Sequence, residues 1–514
     1  MRSGSPSAFE PAAGCSTNNG LFITTFPLQR DNKMRRLYWF FAALLTSFIL
    51  TACLRGETIT DDASGTDSGG GSDGVTSVGT VTRFGSVFVN GIEYVTSGTN
   101  FTLDGTTGGA EINLETGMVV TVNGVINSDN LTGTASSINY RPDLRGPVAS
   151  PSPTQNGGSF SIFGQGVIAD ETTAFDSAQG FASITAGLNV EVSGYRTKAD
   201  QILHATKIRT IAPTAGFLST GSISGVTNTT FTLGGLSVNY ASSTRTNFPA
   251  GGLNNGLSVR VRSSATPVSG VWTVTSVDVL SSAVDVNEGQ QLHVQGFISG
   301  SLPRFSVNGQ TVSTSTSTVY ENGASTNVSD GVKVEIEGTV NDDVLAATKV
   351  RFQSVSDVTL DMPITQVNTT NDTVTVLGNN GIIIKIDSNT LLDDRSVANL
   401  HKFDLSNLSA NNRISAAGKK DGSNSFTAAR LTRIVDSTDP VSLKGPVDSV
   451  TNPTFTILGI SADTSDPSAQ FLDSNGTPVL QNAFFNLIAA GTKVRIDGTF
   501  NGSAISVKHA RIEN

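Results

Sequence analysis

The residue types that carry most enzyme chemistry are scarce and scattered in this chain. The four histidines, His204, His293, His401 and His509, stand far apart in the sequence. None belongs to a His-x-x-x-His or Cys-x-x-Cys spacing that could seat a metal. His204 and His509 fall on expected closing strands beside Lys207 and Arg511, where a ligand contact competes with the blander reading of a strand residue facing solvent. Acidic pairs occur at Asp61-Asp62, Asp342-Asp343 and Asp393-Asp394. Paired carboxylates suit Ca²⁺, but none of these has the alternating Asp/Asn, glycine and distal Glu of a calcium loop, so solvated turns are expected. Gly70-Gly71-Ser72-Asp73-Gly74 formally matches a nucleophile elbow, and Gly69 to Gly74 a dinucleotide fingerprint. Neither follows a strand or opens a helix, as both mechanisms require, and both read as low-complexity coincidences. The chain therefore does not read as an enzyme, and no catalytic residue, metal site or cofactor is expected.

Two features remain as candidate ligand contacts. Cations recur on the expected closing strands: Lys207 and Arg209, Lys349 and Arg351, Arg430 and Arg433, Lys508 and Arg511. Two-residue spacing puts Lys207 with Arg209, and Lys349 with Arg351, on one strand face. On stacked modules these could form a basic stripe that meets phosphate or acidic sugar. The competing reading is an outward face balanced across the sheet by Glu191, or by Glu335 and Glu337. Trp272 is the best candidate for an exposed aromatic that could hold an oligosaccharide, set against burial in the core or between modules. Phe160, Phe231, Phe305 and Phe455 recur at equivalent points, which argues for core.

The elements that must position these residues announce themselves through repetition. An aliphatic-x-x-Gly-x-x-Val-x-Val-x-Gly marker occurs six times. It runs Leu114, Gly117, Val120, Val122, Gly124 in the first copy and Ile184, Gly187, Val190, Val192, Gly194 in the second. Leu253, Gly256, Val259, Val261 follow, with Ser263 in the last glycine's place. Val328, Gly331, Val334, Ile336, Gly338 make the fourth copy and Ile488, Gly491, Val494, Ile496, Gly498 the sixth. The fifth is degenerate: Leu408, Asn411, Ile414, Ala416, Gly418. An opening strand and a Phe- or Val-led second strand precede each marker, and a closing strand follows it. The intervals of 69 to 80 residues suit a small domain rather than a solenoid unit. Short alternating runs between glycine turns predict β-strands, and Gly124 is expected to begin a turn with positive φ.

The fold expected is all-β, a tandem array of six small OB-like β-barrel modules, with a small open sandwich as the second form. Closure removes the exposed edges of a short sheet. The boundaries are 77–141, 145–212, 214–284, 290–355, 359–436 and 440–514. All-β units of this size without disulfides are marginal alone, so neighbours should touch across very short linkers such as Arg141 to Arg145. Helices should be nearly absent, with Ser396 to Leu405 the likeliest exception.

The start of the chain carries an address. Met34-Arg35-Arg36 is a basic n-region and Leu37 to Ile49 is almost wholly apolar, too short to span a bilayer comfortably. Leu50-Thr51-Ala52-Cys53 follows and resembles the bacterial lipoprotein signal, in which the cysteine receives lipid before the leader is cut. Residues 1–52 are expected to be leader, with 1–33 an unused upstream extension, and 53–76 a Gly/Ser/Thr/Asp tether that cannot bury a core. Cys15 would leave with the leader and Cys53 would carry lipid, so no disulfide could form. The formal charge is −10. Cleavage would remove Arg2, Arg30, Lys33, Arg35 and Arg36 against only Glu10 and Asp31, leaving a more acidic protein that is poorly suited to nucleic acid.

The repeated region resembles a bacterial family known as a domain of unknown function, number five-six-six-six. The residues that carry the resemblance are Phe84-Gly85-Ser86-Val87-Phe88-Val89-Asn90-Gly91, Leu114-Glu115-Thr116-Gly117-Met118-Val119-Val120 and Arg145-Gly146-Pro147-Val148. It is closest in the first two copies and weakest in the fifth. The resemblance implies tandem modules in exported bacterial proteins and no catalytic residues. The expected function is a lipid-anchored, non-catalytic spacer or binding scaffold at the outer membrane, on its periplasmic or cell-surface face. Its partners would be the lipid anchor's membrane and a polysaccharide or other envelope component. The rival is a cell-surface glycan-binding protein or adhesin. Absence of Asp beside Cys53 favours the outer membrane, by resemblance to lipoproteins generally.

Overall fold

In every copy of the marker the chain makes the same turn. The first glycine sits at φ of 81 to 90° in Gly117, Gly187, Gly256, Gly331 and Gly491, a region open to glycine and closed to most side chains. The fifth copy has Asn411 there, at φ 73°; asparagine is among the few residues that tolerate this backbone. The N–H of this residue donates to a carbonyl of the opening strand at 2.8 to 2.9 Å each time: Val81, Val148, Ile223, Ile298, Ile364 and Val447. The marker is thus a clasp that turns the chain and pins it to the strand where the copy began.

The computed structural model describes residues 74–513 except 155–156, 282 and 354. In the first copy these form β1 (Val75–Phe84), β2 (Val87–Val89), β3 (Ile92–Val95), β4 (Asn100–Leu103), β5 (Thr106–Gly109), β6 (Val119–Ile126) and β7 (Thr132–Tyr140). β1 pairs with β2, β2 with β3, β3 with β7 in parallel, β7 with β6, and β6 again with β1. That circuit is a closed five-strand barrel of OB-like order, with the β4–β5 hairpin carried on β7. Residues 291–352 close the same circuit. The same pairings recur in 358–434 and 441–512.

Gly124 corrects the reading of the marker's last glycine. It lies inside β6, not at a turn. A Cβ there would stand 2.2 Å from the Thr134 carbonyl oxygen, at a register shift in the β6–β7 ladder. Gly194, Gly338, Gly418 and Gly498 face the same clash with the strand opposite, at 2.1 to 2.2 Å. This glycine therefore serves close approach at a β-bulge. Where Ser263 replaces it, the ladder opposite shows no such shift, and the closing strand is broken instead into Val271–Thr273 and Ser276–Val279.

The copies pair through their opening strands into three sheets of 13, 14 and 13 strands. β1 runs parallel to Gln291–Ser301, joining the first copy to the fourth. Leu144–Pro147 pairs with Phe217–Ser224, joining the second to the third. Val358–Asn368 pairs with Val441–Thr451, joining the fifth to the sixth. The described residues belong to one compact unit, so the image of beads on a thread gives way to a cluster. The first four copies keep largely separate apolar cores, although Val78 of β1 belongs to the fourth's, Val119 packs against it and Phe163 packs against both the second's and the third's; the fifth and sixth share one. The only α-helix among the described residues is Gln481–Leu487 in the sixth copy, with Phe484 and Phe485 buried. Ser396 to Leu405 is not helical before its last residue, which opens a one-turn 3₁₀ segment at Leu405–Asn407. No helix among the described residues is long and apolar enough to cross a membrane.

Candidate functional site

The cations of the closing strands meet carboxylates, and mostly away from solvent. Lys207 is 1% exposed. Its Nζ lies 2.7 Å from Glu115 of the first copy and 2.8 Å from Asp176, as charge contacts rather than well-angled hydrogen bonds. Arg209 stands opposite Glu191 in the ladder and donates to it from Nε at 2.8 Å. Glu191, 1% exposed, also accepts from the Tyr140 hydroxyl at 2.8 Å and from Arg145 at 2.5 and 2.9 Å. Arg145 reaches on to Asp104 at 3.0 Å, and Arg262 of the third copy pairs with the same Asp104 at 2.6 Å. Thr116 donates to Asp393 of the fifth copy at 2.9 Å. These groups form one partly buried network among four copies. Burial works against ionising Glu115, but Lys207, Arg209 and Arg395 overcome it and draw its pKa down to about 2.

Lys207 and Arg209 therefore form no basic stripe: the competing reading, balance by Glu191 across the sheet, holds, but the face is covered rather than outward. Lys207 faces Glu115 across the boundary with the first copy, and Arg209 bridges Glu191 of its own copy and that same Glu115. The acidic pair Asp393-Asp394 is likewise corrected: it lies in a buried strand, not a solvated turn, with Asp393 held by Arg395 at 2.6 Å and Asp394 by Arg433 at 2.5 Å. Asp342-Asp343 does form an exposed turn. Trp272 is 1% exposed. Its Nε1 donates to the Ala265 carbonyl at 2.8 Å and its ring stacks on Phe163 of the second copy at 4.4 Å, so it packs between modules rather than facing solvent. Phe160, Phe231, Phe305 and Phe455 are core residues. Cys53, Asp61-Asp62 and the glycine strings up to residue 73 lie outside the described residues.

Lys349 and Arg351 differ, because they line a cleft. It has a volume of about 350 Å³ and lies where the first, fourth and fifth copies meet. Lys349 Nζ donates to Glu337 at 3.0 Å, and Arg351 to Glu321 at 2.8 Å and Glu335 at 3.3 Å. His293 stands opposite Glu337 in the ladder between the first and fourth strands of its copy. His204 packs on Phe297, and His401 on Phe84 with Nε2 2.9 Å from the Leu114 carbonyl; both are contacts between copies. His509 is exposed. A second cleft, of about 490 Å³, lies between the fifth and sixth copies beneath residues 437–441. Its Arg413 is held by Asp361 and by the carbonyls of Asp439 and Pro440. No group of three or more His, Cys, Asp or Glu that could hold a metal occurs among the described residues.

Glu335, paired with Arg351 in the fourth copy, titrates with a consequence for stability. Burial pushes its pKa up to about 7, against the pull of Arg351 and with the help of Glu337. A carboxyl whose folded pKa exceeds its unfolded value stabilises the fold below the unfolded value near 4.5 and loses that contribution as pH rises towards 7. The loss is on the order of 3 kcal/mol. Glu115 acts in the opposite sense, and its contribution is lost as pH falls from 4.5 towards 2. Urea unfolding at pH 5 and 7.5 should show the wild type less stable at the higher pH and Glu335→Gln with a flatter profile. Identical profiles would remove Glu335 from the account.

Sequence reasoning missed Tyr140, Arg145, Asp104 and Arg262 as network members, and also Tyr195, which donates to Gln295 at 2.7 Å, and the Lys444–Glu171 pair. The available signal was the excess of charge at Arg145, Glu191 and Arg209, which fall on adjacent strands of one module.

Comparison with protein-family models finds the domain of unknown function DUF5666 at residues 145–209, 220–278, 273–351, 363–432 and 444–507. These stretches cover more than half of the chain. The first copy lies outside them, although it closes the same strand circuit. Comparison with curated proteins gives no match.

Proposed function

The chain belongs to the DUF5666 family, whose modules it carries in series, and on that premise we propose that it is a non-catalytic scaffold of six OB-like barrels, exported and held by lipid at the bacterial outer membrane. One observation carries the scaffold reading: the charged side chains that could do chemistry are largely spent on one another at module boundaries, as in the Glu115–Lys207 and Glu171–Lys444 pairs. A surface built this way holds modules in place. The single compact unit favours a rigid platform over an extended spacer. The anchor rests on the sequence Leu50-Thr51-Ala52-Cys53 behind its apolar run.

The anchor is tested by growing cells with an alkyne-tagged fatty acid. Wild-type protein should take the label and fractionate with the outer membrane. Cys53→Ala should lose the label and keep its leader, since cutting follows lipidation. Unlabelled wild-type protein in the soluble fraction would overturn the anchor.

A further inference from the structure

We propose that the cleft between the first, fourth and fifth copies binds a neutral sugar unit, a pyranose ring presenting its hydroxyls to His293, Glu337 and Lys349. The cleft's volume, about 350 Å³, lies within the range of small-molecule sites and has room for one or two rings.

The lining decides the chemistry. Both signs of charge are present and already satisfied: Lys349 sits on Glu337, and Arg351 on Glu321 and Glu335. An entering phosphate or carboxylate would face Glu337, and an entering cation would face Lys349. A hydroxyl meets neither penalty, because it can donate to the carboxylate and accept from the ammonium at once. The ion pairs also hold these groups in place before a ligand arrives, which lowers the ordering cost of binding.

His293 supplies the second, independent pointer. It is 8% exposed, and its buried Nδ1 has no hydrogen-bond partner. Buried polar atoms are nearly always partnered in folded proteins, and a small turn of the ring would bring this closed-off nitrogen to a hydroxyl in the cleft. Burial lowers this imidazole's pKa, with Lys349 and Arg351 adding to the effect and Glu337 opposing it. The ring is then neutral, with one donor and one acceptor, the pair a hydroxyl can use. The rest of the lining is mixed: Asn90, Asn130, Gln291 and Ser388 are polar, and Ile126 and Leu131 of the first copy are aliphatic. Leu131 is 61% exposed, at the tip of the hairpin between β6 and β7, where it can cover the C–H face of a ring. The inference stands apart from the anchor and the scaffold, which survive its failure.

The test uses the purified whole chain and ligand-observed NMR, which reads weak binding. The probes are glucose, a glucose tetrasaccharide, glucuronate and inorganic phosphate. Glucose or its tetrasaccharide should bind saturably, at least tenfold more tightly than glucuronate or phosphate. A response to glucose itself points to a free sugar as the source, and a response to the tetrasaccharide alone to a polymer; both support the site. Thr348→Trp adds bulk at an exposed cleft residue without touching a core. It should weaken binding at least tenfold with the unfolding transition unchanged. His293→Leu, made in parallel, should do the same through the lost donor and acceptor. No saturable neutral-sugar binding, a preference for glucuronate or phosphate, or binding unaffected by Thr348→Trp would each overturn the proposal.

Discussion

Replacing Glu191 by leucine should destabilise the protein by about 3–5 kcal/mol, the cost of removing one partner from a buried charge cluster. The size of the effect follows from what is left behind. Arg145 and Arg209 would keep their charges beside a hydrocarbon, and the Tyr140 hydroxyl would lose its acceptor. Tyr140 already has its own ionisation pushed well up by burial and by Glu191, so it cannot compensate with a negative charge. Surface ion pairs rarely contribute more than about 1 kcal/mol, and that figure divides the outcomes. A midpoint shift in urea worth less than this, at unchanged m, would mean that the cluster is hydrated and the boundary loose. Replacing Glu191, Arg145 and Arg209 together by apolar residues should recover much of the loss, because a fully apolar patch carries no stranded charge.

Charge at these boundaries makes sense for a chain of similar barrels. Copies that resemble one another could pair in many wrong combinations if apolar patches joined them. Ion pairs that are costly to leave unmatched discriminate between partners. The first copy pairs with the fourth, Val75 opposite Gln291, rather than with the second beside it in sequence. The second copy is held to the first by Lys207, and to the sixth by Glu171 with Lys444.

The barrels were legible in the sequence because each copy needs the same local geometry. Gly117 and its equivalents recur because the clasp needs positive φ, and Asn411 is the substitution that this geometry tolerates. Gly124 was legible as a glycine shared by five of the six copies, but not in its role: a close approach depends on the strand opposite. The arrangement of copies was not legible. Lys207 is a residue type that reads as solvated, and its ammonium is instead covered beside Glu115 of another copy. The cations did announce themselves by spacing, and the balancing carboxylates Glu191, Glu335 and Glu337 lie across the ladder from them. What spacing could not say is that this face is covered. The cleft was half legible: Lys349 and Arg351 came from the repeat, whereas His293, Leu131 and Ser388 are brought to it by three different copies.

Trp272→Ala should cost about 3–5 kcal/mol, the range for truncating a large buried aromatic. The side chain lies in the core of the third copy and also stacks on Phe163 of the second, so the cavity would open at a joint between modules. Trp272→Phe keeps a ring against Phe163 and removes only the donor to the Ala265 carbonyl, a loss of about 1–2 kcal/mol including the stranded acceptor. A double-mutant cycle with Phe163→Ala should return a coupling of about 0.5–1.5 kcal/mol if the stack holds the two copies together. The measurement has a built-in probe. The chain has two tryptophans, and Trp39 precedes Cys53, so in a protein prepared from Cys53 onward the emission comes from Trp272 alone. That emission should be blue-shifted in the folded protein and move to the red in one step with the loss of secondary structure. A red-shifted, readily quenched emission in the folded state, or an alanine variant as stable as the wild type, would return Trp272 to the surface as a ligand-facing aromatic.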